Sequence, residues 1–206
     1  MTQQGSSMIF GPQFYSRIKK LKNWQQLLFA TVLAQRMLPN YEEYHLAQGS
    51  GTDQVDHLYQ IVNQLWDYSE HTCVISDWKK IYSSLLPLIY NPEEASQISD
   101  FGVYSANCAV EGVLLAIRSI LEHTGSESLK ISELSVNMVI SFLEQEQGHT
   151  IQDEEIVENE YVQNELDFQM EVAKTLNGHR SDAMFNKLKK LAYNEGYSNI
   201  GIKSKR

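Results

Sequence analysis

A chain of 206 residues with 42% hydrophobic and 21% charged content can bury a full core without disulfide or metal staples. Its net charge of −9 argues against a general nucleic-acid-binding surface, which must displace counterions with cations. No apolar run reads as long enough to span a bilayer, and MTQQGSSMIFGPQF has neither a basic start nor a long apolar stretch. The sequence therefore predicts a cytoplasmic protein without signal peptide or membrane contact. Cys73 and Cys108 are too few and too far apart for a disulfide framework or zinc knuckle, so both read as reduced thiols.

Residues 1–11 read as a loose tail, residues 12–202 as one helical domain, and residues 203–206 as a basic C-terminal tail. Phe14, Ile18 and Leu21 form the apolar edge of a first helix whose other faces carry Arg17, Lys19, Lys20 and Lys22. The organising stretch is Asn23 to Tyr41. At 100° per residue its apolar side chains, from Trp24 to Leu38, wrap almost the whole circumference, which marks a helix buried on every side. Asn23 with Gln26 reads as a capping box at its start, and Pro39 as its end. Asn40 with Glu43 then predicts a second, short helix over Tyr41 to Ala47, closed by Gly49-Ser50-Gly51.

Thr52 or Asp53 caps the next helix, with Val55, Leu58, Ile61, Val62, Leu65 and Trp66 on one face. Asp77 to Tyr90 reads as a helix bent or ended near Pro87, followed by a polar connection from Asn91 to Asp100. Val103 to Glu122 is the second strongly apolar segment, expected against Asn23–Leu38 in mid-bundle and stopped by Gly125. Further helices follow over Ile131 to Gln147, from Ile156 to Leu176, and after Ser181. Alternating strand patterns, hairpin turns and repeats are missing from the sequence. The fold class is all-α: a single-domain bundle of about seven to nine helices around two central apolar ones.

RMLPNY (Arg36 to Tyr41), FGVYSA (Phe101 to Ala106) and YSNIGI (Tyr197 to Ile202), with Trp24 and the Leu65-Trp66 pair, form a specific set. On these motifs, from roughly Ile18 to Ile202, the chain resembles the YjaG-like family of bacterial proteins, a domain of unknown function. The resemblance implies an all-helical bacterial protein and transfers no catalytic residue. One departure is visible: Gly49-Ser50-Gly51-Thr52-Asp53 lacks the aromatic that members usually carry between the glycines and the aspartate.

Helical bundles hold metals with Glu-x-x-His pairs that point inward. Two such pairs occur, Glu42 with His45 and Glu146 with His149. Gly148 splays the second, and neither lies in a segment read as core helix. Asp53 and His57, four apart, are a third pair that reads as surface. The sequence thus predicts no metal and no cofactor. There is no Gly-x-Ser-x-Gly elbow or phosphate-binding glycine loop, and Cys108 sits in a segment apolar enough to keep it inert.

Arg36 and Glu111 are lone charges inside the two most apolar segments. An unpaired buried charge costs several kcal/mol, so each needs a partner or a path to water. One expectation is that they face one another; the others are that each keeps a lane to solvent, with Arg36 bonding helix-end carbonyls or another carboxylate, or that Arg36 meets an anionic ligand in a cleft. With Tyr41 and Tyr104 they form the candidate set for a cleft or buried-charge site. Charge is also segregated. Residues 144–171 carry ten acidic residues and no Lys or Arg, whereas 179–206 carry a net +5. Solvated faces, with the acidic limb beside the last helix, are the plain reading, and docking of a partner or second copy the sharper one. The leading functional expectation is a non-enzymatic protein-interaction module, with a homodimer as one form of it. The rivals are a ligand-binding protein or enzyme with a cleft around Arg36, and a small acidic inhibitor of a basic partner.

Overall fold

The computed structural model describes residues 11–72, 77–91, 100–122 and 124–206. Among them the chain forms nine α-helices and no sheet. Of the expected tail at 1–11, residues 1–10 lie outside the described residues, as do Cys73 and most of the connection after Asn91, and Gly11 already belongs to the first helix. Helix α1 spans Gly11–Lys19 and buries Phe14 and Ile18 as its spacing predicts, with Leu21 just beyond its end also buried.

Helix α2, Asn23–Ala47, is the axle. Phe29, Ala30, Val32, Ala34, Met37 and Leu38 are wholly inaccessible, as a segment apolar all round must be. Both of its expected ends are corrected. Asn23 is the first helical residue rather than the cap; Gln25 Oε1 instead accepts the Lys22 N–H at 2.7 Å. Gln26 Nε2 reaches back to the Leu21 carbonyl at 2.7 Å and caps nothing. At the other end the helix runs through Pro39. Proline removes one backbone bond there, and burial on both sides of it holds the rod together. The predicted short helix is therefore the last part of α2, and Asn40 is an interior residue, with Nδ2 donating to Asn199 Oδ1 at 3.1 Å.

Around α2 pack α3 (Asp53–Glu70), α5 (Asp100–Leu121), α6 (Glu127–Gln147), α8 (Glu160–Leu176) and α9 (Asp182–Tyr193). The α2–α5 interface is the most extensive, as expected of the two apolar segments. Gly112 permits it: a Cβ there would stand 2.5 Å from Met37 Cε and 3.5 Å from Ala34 Cα. By length and composition Phe101–Leu121 is apolar enough to cross a membrane, which corrects the expectation that no run qualifies. Of its apolar 18-residue window 72% is buried within the bundle, where it packs on α2 and its other neighbours.

The α3 stripe predicted from Val55 to Trp66 is buried throughout. Helix α4, Trp78–Leu85, is capped by Asp77 accepting the Lys80 N–H at 2.9 Å, and Pro87 falls in a 3₁₀ turn at Leu86–Leu88. Gly148 ends α6 in the left-handed conformation. The single helix expected from Ile156 is divided into α7 (Asp153–Glu158) and α8, because the Asn159 side chain caps α8 by accepting the Tyr161 N–H at 2.9 Å. Ser181 caps α9 as predicted. The chain then turns through Asn194–Gly196 and folds back so that Tyr197 bridges Lys203.

Candidate functional site

Arg36 does not face Glu111. Its Nη1 lies 3.0 Å from Glu165 Oε2 on α8, and its guanidinium stacks 3.8 Å from the Phe168 ring centroid. Glu165 is 1% exposed, and its other oxygen accepts from Ser135 Oγ at 2.7 Å and Gln169 Nε2 at 2.8 Å. Gln169 Oε1 in turn accepts from Ser132 at 2.6 Å, and Asn199 Nδ2 donates to Ser135. This buried polar network ties α2, α6, α8 and the C-terminal turn together. A buried ion is tolerated on such terms, with a counter-ion and hydrogen bonds on its remaining lone pairs.

One edge of Arg36 opens on a cleft of about 200 Å³ lined by Gln35, Tyr59, Tyr193, Tyr197, Ser204 and Arg206. Arg206 reaches Asp56 at 2.7 Å and Glu42 at 3.4 Å. Residues 203–206 are strapped onto α2: Glu42 Oε2 accepts from Ser204 Oγ at 2.8 Å and from the Lys205 N–H at 3.2 Å, and Lys205 Nζ pairs with Glu43 at 2.8 Å.

A larger cleft of about 410 Å³ lies elsewhere on the bundle, between the end of α4, α5 and α6. Val103, Tyr104, Asn107, Cys108 and Glu111 recur at helical spacing and present one face of α5, with Ile89 and Leu134 as the side walls. Asn107 fixes the Ile89 wall by bonding both the N–H and the carbonyl of Tyr90, at 2.8 and 2.9 Å. Burial is the first cause acting on each titratable group here. It raises Glu111 above the ordinary carboxyl value against the pull of Arg118 and Lys130. It pushes the Cys108 thiol up to about 12 and the Tyr104 hydroxyl higher than usual. All three shift toward the neutral form, whereas acid–base pairs are made by environments that push two groups apart. A thiol so raised is not a nucleophile.

Leu86, Ile89 and Tyr104 are each more than a third exposed. Phe101 stands beside Tyr104 and Phe142, and Phe142 beside Tyr161, with ring centroids 5.9 to 6.5 Å apart. The cleft is thus the deep part of an apolar, aromatic strip that crosses α5 and α6 to α8.

Tyr41 belongs to neither cleft. It is fully buried, donates to Gln54 Oε1 at 3.1 Å, and stacks on His45 at 5.4 Å. The Glu42 and His45 pair does lie on the central helix, which corrects its placement outside the core. Both residues are engaged: Glu42 by the C-terminal strap, and His45 by the Tyr90 hydroxyl and, at 3.1 Å, the Gly51 carbonyl. His149 sits beyond the Gly148 cap with its Nδ1 3.1 Å from the Thr150 carbonyl, and His57 meets Ser84 at 3.2 Å. Among the described residues no three His, Cys, Asp or Glu side chains gather as a metal site.

The acidic limb touches the last helix through the Glu171–Lys187 ion pair. The rest of the basic stretch goes elsewhere, Lys189 to Glu70 and the final residues to α2 and α3. Sequence reasoning missed Glu165 and Asn107. A signal for Glu165 existed, since Val162, Glu165, Gln169, Val172 and Leu176 form the buried stripe of α8. Asn107 lies three residues after Tyr104 and four before Glu111, on their face of α5.

Comparison with known proteins places the whole arrangement. The chain is 29% identical to an uncharacterized protein of Haemophilus influenzae over 192 residues, 91% of this chain and 95% of that one. It is also 29% identical to the uncharacterized protein YjaG of Escherichia coli, over 90% and 94% of the two chains. A crystal structure of a DUF416 family protein from Shewanella baltica superposes with a TM-score of 0.82 at 25% identity, covering 92% of this chain and 98% of that one. The family model described as "Protein of unknown function (DUF416)" matches residues 13–203, and the chain belongs to that family.

Proposed function

We propose that this protein is a non-enzymatic interaction module whose working surface is the Glu111 cleft and the apolar strip around it. Its partner is a protein segment that inserts an apolar side chain ending in a cation, a lysine or arginine among aliphatic or aromatic neighbours. The observation that carries this reading is Glu111 itself: a carboxylate in the wall of an apolar cleft, with no ion-pair partner within contact among the described residues. Arg118, one of the two cations whose charge reaches Glu111, is taken by Glu122 at 3.1 Å. An arriving cation satisfies that charge while its aliphatic stem covers Val103, Ile89 and Leu134. The half-buried Phe101 and Phe142 and the exposed Tyr161 beyond the cleft extend the contact to the dimensions of a peptide.

The raised Cys108 thiol is not tuned as a nucleophile, which supports a binding role for this cleft. Selection from a random-peptide display library tests the reading. Enrichment of peptides with Lys or Arg flanked by apolar residues is expected, and their affinity falls about tenfold or more in Glu111→Gln and in Tyr104→Ala. Selected peptides without a cation, or binding indifferent to both substitutions, would contradict it.

A further inference from the structure

The smaller cleft carries a second, independent inference. Arg36 is 12% exposed, and its Nε finds no acceptor among the described residues; its Nη1 sits at ion-pair distance from Glu165 without hydrogen-bond alignment. A guanidinium presents five donors in one plane, so the carboxylate at its far edge leaves donors to fill. Buried donors are rarely left unmet, and Arg36 is among the residues that line the cleft, so an acceptor entering there can complete its hydrogen bonding.

The remaining walls suit the same occupant. Arg206, which also holds Asp56 at 2.7 Å and Glu42 at 3.4 Å, brings a second guanidinium, its carbon 4.6 Å from the Tyr59 ring centroid, and Ser204 a hydroxyl shared with Glu42. Tyr193 and Tyr197 are 57% and 39% exposed, flat walls open to solvent. They are set by a run of three left-handed residues, Asn194, Glu195 and Gly196, with φ of 45°, 55° and 84°. Only the glycine adopts that geometry freely, so two residues hold the turn at a cost in backbone strain. At about 200 Å³ the cleft is smaller than those that enclose drug-sized ligands.

We infer that this cleft binds a compact oxyanion, a carboxylate or phosphate held between Arg36 and Arg206, with Tyr193 and Tyr197 covering whatever it is attached to. The site is separate from the Glu111 surface and does not rest on that proposal.

Titration of the full chain with inorganic phosphate, phenyl phosphate, benzoate and phenol, followed by amide and indole NMR, tests it. The Trp66 indole is the internal reporter, because its Nε1–H donates to Gln35 Oε1 at 2.6 Å and Gln35 lines the cleft. Saturable shifts of this signal with at least one anion and none with phenol are expected. Saturation by inorganic phosphate assigns the site to the free oxyanion, and saturation by phenyl phosphate or benzoate alone to an anion with an aryl body. Arg206→Gln should weaken binding about tenfold. The paired change Arg36→Met with Glu165→Gln, which removes both buried charges together and so strands neither, should abolish it. No saturable shift up to about 10 mM, equal shifts with phenol, or undiminished binding in both variants overturns the inference.

Discussion

Arg36 on the central helix and Glu165 on α8 approach to 3.0 Å inside the bundle, and the charge that looked misplaced in the sequence is the point where three helices and the C-terminal turn are joined. Removing one member of a buried pair strands the other, at a cost of about 3–5 kcal/mol. Arg36→Met and Glu165→Leu are each expected to destabilise strongly, and the double variant to be more stable than their sum predicts by about 1 kcal/mol or more. The matching cycle of Arg36→Met with Glu111→Leu should be additive, since those residues line different clefts. Urea denaturation of both sets of variants measures this.

Burial raises Glu111 above the usual carboxyl value of 4.5, and linkage fixes the sign of its effect. The folded state holds this proton more tightly than the unfolded state, so the carboxyl costs stability as pH rises from its unfolded value through its folded one. Glu111→Gln should therefore be more stable than the parent at neutral pH, with the difference vanishing below the ordinary carboxyl range. Thermal melts from pH 4 to 7 (about the range set by carboxyl titration) check it; a constant difference would disagree.

The C-terminal strap satisfies Glu42, which is 2% exposed. Deleting residues 203–206 leaves that carboxylate with the Tyr59 hydroxyl, at 3.3 Å, as its remaining partner of those described. The truncated chain should lose about 2 kcal/mol, roughly 5 °C in Tm. An unchanged melting temperature would show that the strap is dispensable.

At Gly112 the α5 backbone packs against Met37 and Ala34 of α2 with no room for a side chain. A leucine there must displace Met37, which is itself fully buried, and overpacking of this kind costs about 1–3 kcal/mol. Gly112→Leu should lower the urea midpoint without changing the slope of the transition.

The fold was legible because its signals are local. An apolar wrap from Trp24 to Leu38, a matching stripe in α5, a cap at Ser181 and a glycine stop at Gly148 each follow from residues near in sequence. Pro39 misled because tertiary burial outweighs one missing backbone bond, and Asn40 because a side chain that caps helices also serves as an interior donor to Asn199. The sites were half legible. Arg36, Glu111 and Tyr104 stand out as polar groups near apolar runs, and the structure places each on a cleft. Their partners did not stand out, because Glu165 lies 129 positions from Arg36 and Arg206 lies 170 away, and periodicity carries no information across such distances.

The central claim is that the Glu111 carboxylate receives a cation on an apolar stem. Titrating the Glu111 side-chain carboxyl by carbon-detected NMR, alone and with 4-phenylbutylamine or its neutral twin 4-phenylbutanol, tests this most directly. The account predicts a carboxyl pKa above the usual value in the free protein, lowered by the amine and not by the alcohol. A pKa that the amine leaves unmoved would contradict it.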